Sequence, residues 1–364
     1  MWAALVWVAK RMQALEVRVG RAAAARLANE GWQSNGIDGL IGSSGGPKWL
    51  ILGHLDRALS RWLHPGRQKP LQAVGSSIGS WRHALLAQRD PIAAIDRFED
   101  VYLRQSYSSA KPGIAEITAA SNTILMTALG DSGASDIVEH PWLHTYIVTA
   151  KGRGLTNRGV GSGLVLGLGA AALGNAVSRH TLSLSFQRVV FTHAQAQPLP
   201  DLLSGFNTCY IPLVEHGVPS ALLASGAIPY LFEGVSDVPG GPKGAYWDGG
   251  IIDYHFNPQG LRQDGLWLYP HFSNRITHGW FDKFLPWRSG PCSKADQLIM
   301  LCPSQEFLAS LPYGKIPDRR DFGRMGEVER VRYWRHCVDQ SKRLADEFEQ
   351  LISGDDPLRG VVQI

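Results

Sequence analysis

Two serines in this chain of 364 residues stand where a hydroxyl can be made into a nucleophile. Gly75-Ser76-Ser77-Ile78-Gly79 has the Gly-x-Ser-x-Gly pattern, whose glycines let a strained strand-to-helix turn lift the serine hydroxyl clear of a sheet. Gly42-Ser43-Ser44-Gly45-Gly46 fits the same pattern with Ser44 as the candidate, and 40 glycines in the chain make chance matches common. Serine is a weak nucleophile at its free pKa and needs an adjacent base. Asp248, in Tyr246-Trp247-Asp248-Gly249-Gly250, ends a predicted strand, which presents its carboxylate at that strand's C-terminal edge. The same Asp-Gly pair also fits a simple type I′ turn.

The elements that must position these groups follow from hydrophobic periodicity. Residues 37 to 41 read as a strand ending in the glycine loop 42 to 48. A helix follows, because Ile51, Leu55, Ala58, Leu59 and Trp62 share one face. A second strand at 71 to 74 runs through the turn at 75 to 79 into a helix carrying Trp81, Leu85 and Leu86. Further strands are predicted at 188 to 192, 210 to 213, 245 to 247, 266 to 269 and 297 to 301, with a long amphipathic helix from 327 to 351. Alternating strands and helices of this kind predict an α/β layered fold with a mostly parallel sheet.

Composition narrows the function classes. Hydrophobic residues at 44% and charged residues at 19% exclude intrinsic disorder. The 36 Lys+Arg against 32 Asp+Glu leave only +4, too small and too scattered for a nucleic-acid reader. Cys209, Cys292, Cys302 and Cys337 show no Cys-x-x-Cys spacing, which predicts reduced thiols in a cytoplasmic setting and no structural zinc. The apolar start, Met1 to Ala9, is short of the about 20 residues that span a bilayer, and Lys10 and Arg11 follow it where a secretory leader has its charge in front.

Taken together, the ordered blocks at 42 to 48, 75 to 79, Val189-Val190-Phe191-Thr192, Ala224 to Phe232 and Asp248-Gly249-Gly250 resemble the patatin-like phospholipases and acyl hydrolases, over roughly residues 36 to 257. The resemblance implies a three-layer α/β/α fold with a mostly parallel central sheet and a C-terminal helical extension. It divides the chain into an N-terminal extension (1–35), a hydrolase core (36–262) and a C-terminal extension packed on the core (263–364). It also implies a serine hydrolase cleaving carboxylic esters of lipids through an acyl-enzyme, with Ser77 as nucleophile and Asp248 as base of a Ser-Asp dyad. The first glycine loop would form the oxyanion hole, with backbone N–H groups of Gly45, Gly46 and Ile78 as donors; Ser44 then stands where the family has a glycine. No metal or organic cofactor is implied. The family's loop is Gly-Gly-Gly-x-Arg-Gly; here Pro47 has no N–H to donate, and Lys48, read as substrate-binding, offers a point charge in place of a planar fork.

Other residues frame alternatives. A Ser-His-Asp triad of the α/β-hydrolase type would need a late histidine, for which His255, His271, His278 and His336 are available. A lipid-binding protein without turnover is the reading that Pro47 permits. Trp280 to Trp287 mixes aromatic and basic residues as a peripheral membrane contact would, or as rings packing the C-terminal segment on the core. Asp253, in Ile251-Ile252-Asp253-Tyr254, reads as a structural cap or a loop organiser. Gly159 to Val177 carries no charge but is rich in glycine, a poor helix by propensity; it reads as a buried or hairpin insertion, a cover touching lipid, or a membrane segment.

Overall fold

The computed structural model describes residues 13–109, 111–199, 201–261 and 265–364; the apolar start, Met1 to Ala9, lies outside them. The predicted strands form as β2 (Ile37–Gly42), β3 (Leu71–Ser76), β5 (Phe186–Thr192), β6 (Thr208–Pro212), β8 (Ala245–Asp248), β9 (Leu266–Pro270) and β12 (Leu298–Pro303). To these the structure adds β1 (Leu15–Val19), β4 (Leu143–Gly152), the short β7 (Val235–Ser236) and β13 (Val361–Gln363). One sheet results, in the order β13-β1-β12-β9-β2-β3-β4-β5-β6, with β8 paired to β4 and β7 to β8. β10 (Arg275–Thr277) and β11 (Ser289–Pro291) pair separately. The run β12-β9-β2-β3-β4 is parallel throughout, while β5 and β8 lie antiparallel to β4.

Pleating sends alternate residues to opposite faces. Leu40, Ala73 and Ile147 join a core with the helices Gly53–Leu63, Ile78–Leu86, Val218–Gly226 and Glu327–Ser353; Ile41, Val74, Tyr146 and Val148 join a second one with Leu202, Phe256 and Ile276. The fold is a three-layer α/β/α arrangement with a mostly parallel sheet. The C-terminal helix Glu327–Ser353 packs its Phe348 edge-on against Trp32 and Trp62. The boundaries expected at 35/36 and 262/263 divide strands of this one sheet, because β9 and β12 extend it directly beside β2 and β1 follows on β12.

The glycine-rich stretch forms a helix, Ser162–Val177, against its propensity. Its glycines permit close contact: a Cβ at Gly167 would lie 2.8 Å from Thr156 Cγ2, and one at Gly174 2.7 Å from Thr181 Oγ1. The opposite side leaves Leu166, Leu173 and Val177 exposed. Among the described residues no helix is long and apolar enough to cross a membrane.

Candidate active site

Ser77 and Asp248 come together because both are indexed on β4. The β3–β4 register ends with Ser76 opposite Val148, and the next residue of β4, Thr149, lies opposite Asp248. β8 therefore takes up β4 where β3 leaves it, bringing the end of one strand against the end of the other. Ser77 Oγ donates a hydrogen bond to Asp248 Oδ2 at 2.7 Å, in the range that proton transfer requires. Asp248 Oδ1 accepts from the N–H of Gly250 at 2.7 Å, which fixes the carboxylate plane.

Ser77 has φ 53°, a left-handed conformation that L-residues adopt at a cost of order 1–3 kcal/mol. The motif's glycines let the following helix approach: a Cβ on Gly79 would fall 2.1 Å from the Gly42 carbonyl oxygen, and one on Gly75 2.4 Å from the Ser80 nitrogen. Ser225 adds a brace that sequence reasoning missed, although it lies within the block 224 to 232. Its hydroxyl accepts from the Ser77 N–H at 2.9 Å and donates to the Val148 carbonyl at 2.7 Å.

The glycine loop lies beside this pair. Gly45 precedes a 3₁₀ helix, Gly46–Leu52, whose first N–H groups have no acceptor within the helix; Gly46 holds φ 55°. Ile78 opens the helix after Ser77. Ser44 is differently engaged: its hydroxyl bonds Ser76 Oγ at 2.8 Å and its N–H donates to the Tyr254 carbonyl. Among the described residues no carboxylate bonds its hydroxyl as Asp248 bonds that of Ser77.

Burial raises the pKa of Asp248, while the Ser77 hydroxyl, the Gly250 N–H and the charges of Arg319 and Lys283 pull it back. Asp253 does organise the loop, as its position suggested: the fully buried Arg188 holds its carboxylate with two bonds of 2.7 Å, and its carbonyl accepts from Ser76 Oγ. Among the described residues no histidine bonds Ser77 or Asp248. His255 and His271 are buried, pushed down in pKa chiefly by burial, and bonded through Nδ1 to the N–H groups of Thr277 and Ser273, His255 stacked on Tyr254; His336 is exposed on the C-terminal helix.

Two cavities meet at Ser77. One of about 320 Å³ is lined by apolar groups including Trp81, Tyr102, Ile117, Ile124, Phe232 and Phe322. The other, about 520 Å³, contains Asp248, Lys48, Lys283, Asp318, Arg319 and Arg320. Lys48 therefore stands at the site, its ammonium 4.7 Å from the Phe272 ring centroid. Lys283 belongs to the segment read as a membrane contact, and Arg319 to a stretch without a motif, so neither carried a signal for the site. Within Trp280 to Trp287, Trp280 packs beside Phe281 near the core, whereas Phe284 and Trp287 are 71% and 74% exposed.

No curated protein matches the sequence. A family model described as patatin-like phospholipase matches residues 41–256, a span that runs from β2 past Asp248 and covers more than half of the chain. By this match, and with strand, elbow and Asp-Gly-Gly turn assembled around β4, the chain belongs to the patatin-like phospholipase family.

Proposed function

We propose that this protein is a serine acyl hydrolase that cleaves carboxylic esters of lipids through an acyl-enzyme. The observation that carries the reading is the 2.7 Å hydrogen bond from Ser77 Oγ to Asp248 Oδ2 at the junction of an apolar and a polar cavity. Ser77 Oγ attacks the ester carbonyl carbon while Asp248 takes its proton. The oxyanion faces the N–H groups of Gly45, Gly46 and Ile78, each such donor worth about 3–4 kcal/mol of barrier. Collapse breaks the bond to the alcohol oxygen, which leaves with the proton from Asp248. Water then enters, Asp248 removes its proton, hydroxide oxygen bonds the acyl carbon, and the carboxylic acid departs as Ser77 recovers its proton.

A carboxylate whose pKa burial has raised is a better base than an exposed one, and the cost of burying it is met by fixed partners. The apolar cavity suits an acyl chain. Phe284, Trp287 and the exposed leucines of Ser162–Val177 suit contact with an aggregated lipid surface.

Incubation with a fluorophosphonate, followed by peptide mapping, tests the reading. An adduct on Ser77 that is lost in Asp248→Asn, with ester turnover lost in Ser77→Ala, is the expected result. A folded protein that takes no adduct, or takes it on Ser44, overturns it.

A further inference from the structure

The polar cavity holds more positive charge than its own carboxylates answer. Asp248 is engaged with Ser77 and Gly250, and Asp318 pairs with Arg320 at 3.2 Å and with Lys315 at 3.6 Å. Lys48, Lys283 and Arg319 are left without a carboxylate partner among the described residues, although all three line the cavity. The two lysines rest on aromatic rings instead: Lys48 on Phe272, and Lys283 with its ammonium 3.4 Å from the centroid of Tyr254. The Arg319 guanidinium sits against the glycine loop, 3.3 Å from where a Cβ on Gly46 would stand, and borders both cavities.

Three cations that line one cavity without carboxylate partners make it attractive to an anion, whose charge would also hold Lys283 protonated. Lys283 is exposed as a residue, while its ammonium lies over the face of the Tyr254 ring. Burial first, then the neighbouring Lys48 and Arg319, push its pKa down to about 7, against the opposing pull of Asp248. Lys48 is likewise lowered, chiefly by burial. An ester seated at Ser77 with its acyl chain in the apolar cavity has its alcohol portion in the cationic one.

We infer that Lys48, Lys283 and Arg319 form a binding site for an anionic group, phosphate or carboxylate, carried on the alcohol side of the ester that Ser77 attacks. The inference rests on the hydrolase reading above. Lys283 and Arg319 lie outside the segment 41–256 that matches the family, so this selectivity is a property of the chain's own C-terminal part. Arg319 adds a planar guanidinium that can grip two oxygens, where the Lys48 ammonium is a point charge.

Three monomeric esters with one acyl chain test it: 1-octanoylglycerol, its 3-phosphate, and the 3-octanoyl ester of glyceric acid, each below its aggregation concentration. In the wild type, kcat/KM for the phosphate ester should exceed that for the neutral ester about tenfold or more. A matching gain for the glycerate ester identifies the site as a general anion site, and a gain for the phosphate ester alone identifies a phosphate site. Lys283→Gln and Arg319→Gln should each reduce the anionic-to-neutral ratio several-fold, and Lys283→Arg should retain it. Equal rates on all three esters in the wild type, or a ratio that neither variant moves, overturns the inference while leaving the hydrolase reading intact. If no ester turns over but Ser77 is labelled, glycerol 3-phosphate should slow fluorophosphonate labelling where glycerol does not; no slowing overturns the inference. No turnover and no label removes the hydrolase reading and this inference with it.

Discussion

Ser77 holds its hydroxyl toward Asp248 only while its backbone stays at φ 53°, and the groups that keep it there are small. Gly79 packs against the Gly42 carbonyl, a backbone atom that cannot swing aside. Gly79→Ala should therefore destabilise the protein by about 1–3 kcal/mol or more, read as a lower urea midpoint, and should lower kcat because β2 leads straight into the glycine loop. An unchanged midpoint would remove the close-packing account. The acid side of the pH profile belongs to the same scale. A base must be deprotonated, and Asp248 is raised above its ordinary 3.8, so kcat/KM should fall away at a pH above that value as acid protonates the carboxylate. Lys283 and Arg319 favour the charged form, so Lys283→Gln should move this limb to still higher pH. A limb that stays put, or shifts down, would show that Lys283 does not act on Asp248.

At the scale of elements, the helix Ser162–Val177 and the segment 280 to 288 form one unit, tied through the buried Asp282. Its carboxylate accepts from Asn175 at 2.8 Å, Arg288 at 3.1 Å and Arg179 at 3.2 Å. This anchor lets Phe284 and Trp287 stand out from the surface without collapsing onto the core. Phe284→Ser with Trp287→Ser should cut sedimentation with anionic lipid vesicles, whereas Val328→Ser, equally exposed on another helix, should not; equal loss in both would reduce the effect to surface apolarity. Trp280 is a poor choice for that test because it packs near the core. Much of this was legible: the two strand–glycine-turn–helix units were visible because periodicity changes at each glycine cluster. β4 was not, although it indexes the whole site, because the buried His144, Thr145 and Thr149 flank its apolar residues and leave a run of only Tyr146-Ile147-Val148, without alternation. The helix Ser162–Val177 was obscured for the opposite reason, since packing against Thr156 and Thr181 outweighs the propensity of its glycines.

Across the whole molecule, the dyad and the groups around it come from different levels of the chain. Ser77, Asp248 and the glycine loop lie in the ordered blocks that carry the resemblance to the family. Lys283 and Arg319 reach the same cavity only through the folding of the C-terminal part, and long-range convergence of single cations leaves no pattern in a sequence. The sheet explains how that part is held: β9 lies between β2 and β12, so residues beyond 262 are neighbours of the strand that leads to the oxyanion loop. A fragment of residues 36–262 would keep Ser77 and Asp248 but expose β2 as a long edge with unpaired N–H and C=O groups and an apolar face. It would also lose Phe272, whose ring lies 2.6 Å from the Cβ position of Gly45 and so lines the back of the glycine loop. The fragment should show no cooperative urea transition and take no fluorophosphonate adduct, whereas the full chain should unfold cooperatively and label at Ser77. A fragment that unfolds cooperatively and labels at Ser77 would mean that β9, β12 and β1 decorate the hydrolase rather than complete it.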